Sequence, residues 1–210
     1  ASKNQKGGIY DISRATAKNW AGINIRIESQ GPDKISDSIQ RAIITEAQTE
    51  DPFLVFDDDG SGEIADVVAM YNHESEVLVR FYHCKYSSQD TPGVRITDAY
   101  EICGQAQKSV KWAGSKEALI DNLRKREKNR LKVGRNSRFE LGGMQELNTF
   151  LALAKQKRIR FEVVLAHPGM SYAALSANSD QARNMLRLLA STESYLAETF
   201  EMKMSLFINQ

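Results

Sequence analysis

Apolar and polar residues alternate with a period of two in two neighbouring runs, residues 63–72 and 77–85, joined by the polar stretch Asn72-His73-Glu74-Ser75. That alternation describes strands with one face turned to a core, and the short polar link predicts an antiparallel hairpin. In the first run Ile64, Asp66, Val68 and Met70 share a face; in the second Val77, Val79, Phe81, His83 and Lys85 do. A carboxylate, an imidazole and an ammonium thus interrupt an otherwise apolar face at one end of the hairpin. Buried charge is costly unless it is paired or used, so these three residues are the first candidates for chemistry.

The rest of the pattern places the hairpin in a fold. Residues 33–50 set Ile35, Ile39, Ala42, Ile43 and Ala47 at helical spacing, and Asp51-Pro52 stops the helix. Residues 53–56 read as a short strand and 57–62 as a sharp turn. Gly60-Ser61-Gly62 is no phosphate loop, because no Gly-Lys-Ser/Thr follows and a strand comes next. Past Pro92-Gly93, residues 94–112 are helical through Ile96, Tyr100, Cys103, Ala106 and Val110, with Gln105 and Lys108 on a neighbouring face. Residues 115–131 and 144–157 predict two further helices, with the glycine-containing stretch 139–145 an adaptable loop between them. Residues 158–166 form a buried strand ended by His167-Pro168-Gly169, residues 180–200 a helix and 204–208 a last strand. Within residues 1–32, Ile23 to Ile27 alternate as a strand before Gly31-Pro32 breaks the run.

A helix, three antiparallel strands, a helix and a strand returning after a helical crossover make an α/β architecture, a mixed sheet flanked by helices. With 210 residues, 41% of them hydrophobic, and no linker-like stretch, the expectation is a lead over residues 1–32 and one domain over 33–210. No apolar run reaches the roughly 18 residues of a membrane span and no secretory leader is evident. No membrane partner and a cytoplasmic location are therefore expected. Cys84 and Cys103 lack the clustered spacing of a zinc site and read as reduced, buried thiols.

The net charge of +1 does not announce a nucleic-acid partner, but its distribution changes the picture. Residues 116–138 carry nine Lys or Arg against Glu117, Asp121 and Glu127, whereas residues 51–76 are acidic around Asp57-Asp58-Asp59. A basic arm beside an acidic pocket suits a phosphodiester substrate. Lys108, Arg124, Lys125, Arg126, Lys128, Arg130 and Lys132 are the candidates for holding a DNA backbone, against the alternative of a solvated helix face.

The hairpin supplies the matching chemistry. A carboxylate and a second ligand hold a divalent cation, whose charge lowers the pKa of a bound water and stabilises charge on a phosphate oxygen. Asp66 and His83 are the candidate ligands, the Cys84 carbonyl lies between them and the lysine as a further oxygen, and Lys85 positions or deprotonates water. A hydrolase of the Ser-His-Asp kind is disfavoured, because the only histidines are His73, His83 and His167 and no serine sits in a nucleophile-elbow sequence.

The order α-β-β-β-α-β, with Asp66 and an x-x-Lys triplet closing the next strand, resembles the PD-(D/E)XK nuclease superfamily, the restriction-endonuclease-like fold. The resemblance covers residues 33–166. It implies that Asp66 is a metal-binding acid and Lys85 the catalytic lysine, with Glu46 matching a first-helix glutamate and Gln105 a polar residue of the following helix. His83 departs from the motif, standing where a Glu or Asp is usual; the resemblance then implies a cation held by Asp66, His83 and Glu46, with the nitrogen shifting preference from Mg²⁺ towards Mn²⁺ or a softer ion. The stretches HCKYSS, YEICGQAQKSVKW, FEVVLAHPG and LLASTESYLAETF also look like a C-terminal module that accompanies DEAD/DEAH-type helicases in bacterial anti-phage defence. Together these imply a metal-dependent DNA endonuclease with a helicase partner, and they admit a homodimer. The competing expectations are a nuclease-fold module that binds DNA without cutting it, and a protein-interaction domain.

Overall fold

The computed structural model describes residues 8–210. One seven-stranded mixed sheet organises them, in the order β1-β7-β6-β4-β3-β2-β5. The strands are β1 (Thr16–Lys18), β2 (Leu54–Asp57), β3 (Val67–Asn72), β4 (Glu76–Cys84), β5 (Phe139–Leu141), β6 (Arg158–Ser171) and β7 (Lys203–Asn209). The helices are α1 (Ile39–Gln48), α2 (Ile96–Ser109), α3 (Lys116–Lys132), α4 (Met144–Leu153), α5 (Tyr172–Ser176) and α6 (Asp180–Phe200). β5, β2, β3 and β4 run antiparallel to their neighbours, while β4, β6, β7 and β1 pair in parallel. The α/β class read from the pattern is the class of this sheet.

The alternation of the hairpin is realised as read. Val68 faces Phe81 and Met70 faces Val79 across β3 and β4. All four, with Ile64 and Val77, join the larger core that α2, α3, α4 and α6 cover. The intervening Val67, Ala69, Leu78, Tyr82 and Cys84 pack on the other face, against Ile39, Ile43, Ile44 and Ala47 of α1 and against Trp20. Burying each of these large apolar side chains stabilises the sheet by about 1.5–3 kcal/mol, and both faces need covering because the parallel half of the sheet is buried on both sides.

Several boundaries move for local reasons. α1 begins at Ile39 because the Ser38 hydroxyl caps it, accepting from the Arg41 N–H at 3.1 Å, and the chain before it is turns. It ends before Asp51, which takes a left-handed φ of 57° ahead of Pro52. Residues 23–27 form turns instead of the expected strand. The Asn24 carboxamide accepts from the Arg26 N–H at 3.0 Å and the Ile27 N–H bonds the Asn24 carbonyl, so local bonds displace a ladder. The early strand is β1 instead, on the edge beside β7. Within residues 8–32, Tyr10 is tied to the main body: its N–H bonds the Leu186 carbonyl at 3.0 Å and its side chain is buried.

Residues 139–141, expected as loop, are the edge strand β5 on β2. β6 continues through His167-Pro168-Gly169 to Ser171, with a register shift against β7 between His167 and Ser171. Gly169 is required there, since a Cβ would lie 2.7 Å from both His167 Cε1 and Ser87 Cβ.

Candidate metal centre at the ends of the central strands

Asp66 immediately precedes β3, and extending the β3–β4 register by one residue sets it opposite His83. Its side chain is buried, and one carboxylate oxygen accepts from the Cys84 N–H at 2.9 Å. Its carbonyl accepts from the Asp58 N–H at 3.0 Å and from the Gln40 carboxamide at 3.1 Å. Asp66 is therefore fixed to both the neighbouring strand and the turn before it.

Two more acids reach Asp66. Single carboxylate oxygens of Asp59, Glu63 and Asp66 all lie within 4.8 Å of one another. Burial pushes the Asp66 carboxyl well above the usual range, and Glu63, Glu28 and Asp59 push it further against the opposing Cys84 N–H bond. Glu63 is raised too, by burial first and then by Asp59 and Glu28, against the N–H of Gly60. With charge disfavoured on Asp66 and Glu63 and oxygen donors on all three, the cluster has the chemistry that a hard divalent cation would relieve.

The turn that carries Asp59 and Glu63 is held from outside. Gly60 and Gly62 take φ of 108° and 82°, conformations that other residues avoid. Arg126 of α3 bonds the Asp58 carboxylate and the carbonyls of Asp58, Ser61, Asp59 and Gly60. Arg138 bonds the carbonyls of Asp57 and Asp59 at 2.8 and 3.0 Å, and Arg130 lies 3.6 Å from the Asp57 carboxylate. Burial lifts the Asp58 carboxyl to about 7 even with Arg126 against it.

His83 is buried in the core beneath Asp66. The Ser109 hydroxyl donates to the Ala106 carbonyl at 2.8 Å, so at 3.2 Å it accepts from His83 Nε2. Nδ1 is then a bare acceptor without a partner, 3.9 Å from the Asp66 carboxylate. Burial lowers the imidazole pKa to about 3, so the ring is neutral. A lone pair with no donor, aimed at a carboxylate, fits a cation or a proton held between them, and His83 stands behind Asp66 as support for that acid.

Lys85 follows β4 on the same face, its ammonium 2.5 Å from the Glu101 carboxylate of α2 and 3.4 Å from Glu28. Burial works against its charge, but the bonds to Glu101 and Glu28 outweigh it and the pKa is raised. Lys85 is an ammonium at neutral pH, suited to orienting water or neutralising a phosphate and not to taking a proton. Gln105 lies between Glu101 and Ser109 on one stripe of α2, and its Oε1 is buried without a partner.

Other expected residues fall elsewhere. Glu46 bonds Lys18 at 2.6 Å and lines a cleft with Trp20, Ala42 and Ile43 on the opposite face of the sheet from Asp66, so it is not brought to this cluster. Glu28, from the turns before α1, stands nearer: it accepts from the Tyr86 N–H at 3.0 Å as well as pairing with Lys85. Arg126 and Arg130 are spent on the acidic turn and on the Asn136 carbonyl, and are not free for DNA. Arg124 pairs with Asp121 at 3.2 Å and also bonds Asn148. Lys108, Lys125, Lys128 and Lys132 are exposed and make no ion pair among the described residues.

No family model, curated protein or solved structure matches this chain. The acidic run with two glycines was legible as a turn, but nothing in its spacing marked Asp59 and Glu63 as partners of Asp66. Glu28 carries no signal, since it lies in irregular chain and reaches Lys85 only through the tertiary fold.

Proposed function

We propose that the chain is a metal-dependent phosphodiesterase acting on DNA, with its centre at Asp66 and Lys85. The observation that carries this reading is the cluster of the Asp59, Glu63 and Asp66 carboxylates at the start of β3, with a charged lysine just past the end of the neighbouring β4. Asp59, Glu63 and Asp66 would hold Mg²⁺ or Mn²⁺, with the Cys84 carbonyl as a further oxygen donor; a cation so held lowers the pKa of a bound water and stabilises charge on phosphate. Lys85 orients the water or neutralises a non-bridging phosphate oxygen. Its release from Glu101 precedes contact with substrate, and Glu101, 63% exposed, has room to swing away. The exposed Lys108, Lys125, Lys128 and Lys132 hold the backbone without reading sequence.

The resemblance to PD-(D/E)XK nucleases supports the same reading, with Asp59 and Glu63 in place of the carboxylate that His83 replaces. A role in anti-phage defence beside a helicase is part of this proposal. The test is cleavage of supercoiled plasmid and linear single-stranded DNA with Mg²⁺, Mn²⁺ or EDTA, beside Asp66→Asn and Lys85→Ala. Metal-dependent cutting that both variants lose is expected; equal cutting by either variant would refute the assignment. A second reading, a DNA-binding module without catalysis, is favoured by the double engagement of Lys85 with Glu28 and Glu101. It requires salt-sensitive binding that EDTA leaves unchanged, with no cleavage in either metal.

A further inference from the structure

Tyr86 follows Lys85 directly and is 38% exposed. Its ring belongs to neither hydrophobic core, and the group packed on it is the Lys85 ammonium, 4.2 Å from the ring centroid. The backbone beneath it is pinned at three consecutive amides. Lys85 N–H bonds the Ala166 carbonyl at 3.0 Å, Tyr86 N–H the Glu28 carboxylate at 3.0 Å and Ser87 N–H the Ile25 carbonyl at 2.7 Å. An aromatic ring outside both apolar cores thus stands on an anchored stretch of backbone, beside the cation that would meet a phosphate.

We propose that Tyr86 is a stacking platform for an unpaired base of the DNA strand engaged by Lys85. This rests on the reading that the site acts on DNA, and it narrows the substrate to single-stranded DNA. In a duplex the base faces are stacked on their neighbours, leaving an exposed ring nothing to stack on; in a single strand every base offers a face. A cation and an aromatic face side by side match the phosphate and base of one nucleotide. The Lys85 ammonium lies over one face of the ring, so a base would stack on the other.

The test is the affinity of the whole chain in EDTA, where no cutting interferes, for a single-stranded oligothymidine and for a closed hairpin duplex. Tyr86→Ala should weaken single-strand binding about tenfold, as loss of one stacked base does, and leave the hairpin within about twofold. Tyr86→Trp should keep single-strand affinity, and Tyr86→Leu, which keeps apolar bulk without a π-face, should lose it. Tyr195 on α6, 41% exposed and packed on Phe200, supplies the control, and Tyr195→Ala should change neither affinity. Unchanged single-strand binding in Tyr86→Ala, or an equal loss on both substrates, would overturn the proposal. Loss of affinity without metal-dependent cleavage by the wild type would instead retain the stacking role and remove the hydrolytic one.

Discussion

Arg126 looks from its neighbours like part of a basic arm, yet the fold spends it on the acidic turn, and the two roles predict opposite outcomes for Arg126→Ala. The variant removes the guanidinium from the Asp58 carboxylate, whose side chain has no exposed area, and from four backbone carbonyls of residues 58–61. Breaking a buried pair by deleting one partner costs about 3–5 kcal/mol, because the Asp58 carboxyl, already lifted to about 7, must then take up a proton or keep an uncompensated charge. For a chain of this size each kcal/mol moves the melting temperature by roughly 2–4 °C, so the expected drop is on the order of 10 °C. Lys128→Ala, two residues further along α3 and exposed, should stay within about 0.5 kcal/mol. Urea denaturation of both variants measures this. Arg126→Met combined with Asp58→Asn should recover much of the loss, since the uncompensated carboxylate goes with its partner. The contrast extends to DNA: Lys128→Ala should flatten the salt dependence of binding without changing stability. If Arg126→Ala unfolds at the same urea concentration as Lys128→Ala, the turn is not held by this arginine and the assignment fails.

His167 gives a pH prediction. Its Nδ1 accepts the Gly169 N–H at 3.1 Å, and burial lowers its pKa to about 4 from 6.5. A depressed histidine contributes stability that is full above pH 6.5 and is lost as the pH falls towards 4; at pH 5 the loss is about 2 kcal/mol. Asp58 and Asp66, raised by burial, act in the opposite sense, so the informative quantity is the difference between wild type and His167→Gln in urea at pH 7 and pH 5; a difference that does not change between the two would refute the buried neutral ring. At the metal centre, titration calorimetry with Mn²⁺ should show binding lost in Asp66→Asn and retained within about twofold in Glu46→Ala, whose half-exposed pair with Lys18 is worth under about 1 kcal/mol. Loss of Mn²⁺ binding in Glu46→Ala would restore that glutamate to the site.

Period-two alternation was enough to put Asp66, His83 and Lys85 on one face, because side-chain direction along a strand is a local property of the backbone. The same holds for the apolar stripes of α1, α2 and α6, and for the order of elements that makes a mixed α/β sheet. Local competition already blurs this reading at Ile23 to Ile27, where an Asn side chain bonds the backbone and replaces a strand with turns. What periodicity does not report is which irregular segments arrive at a strand end. Glu28 reaches Lys85 across 57 positions of chain, and Arg126 reaches Asp58 across 68. Glu46, on the expected helix, is left behind the sheet because α1 packs on the face opposite Asp66. The crossovers and the burial of both sheet faces decide those meetings, so composition along the chain marked a basic arm and an acidic turn, and only the tertiary packing decided that two of the arm's arginines neutralise the turn while its exposed lysines remain free.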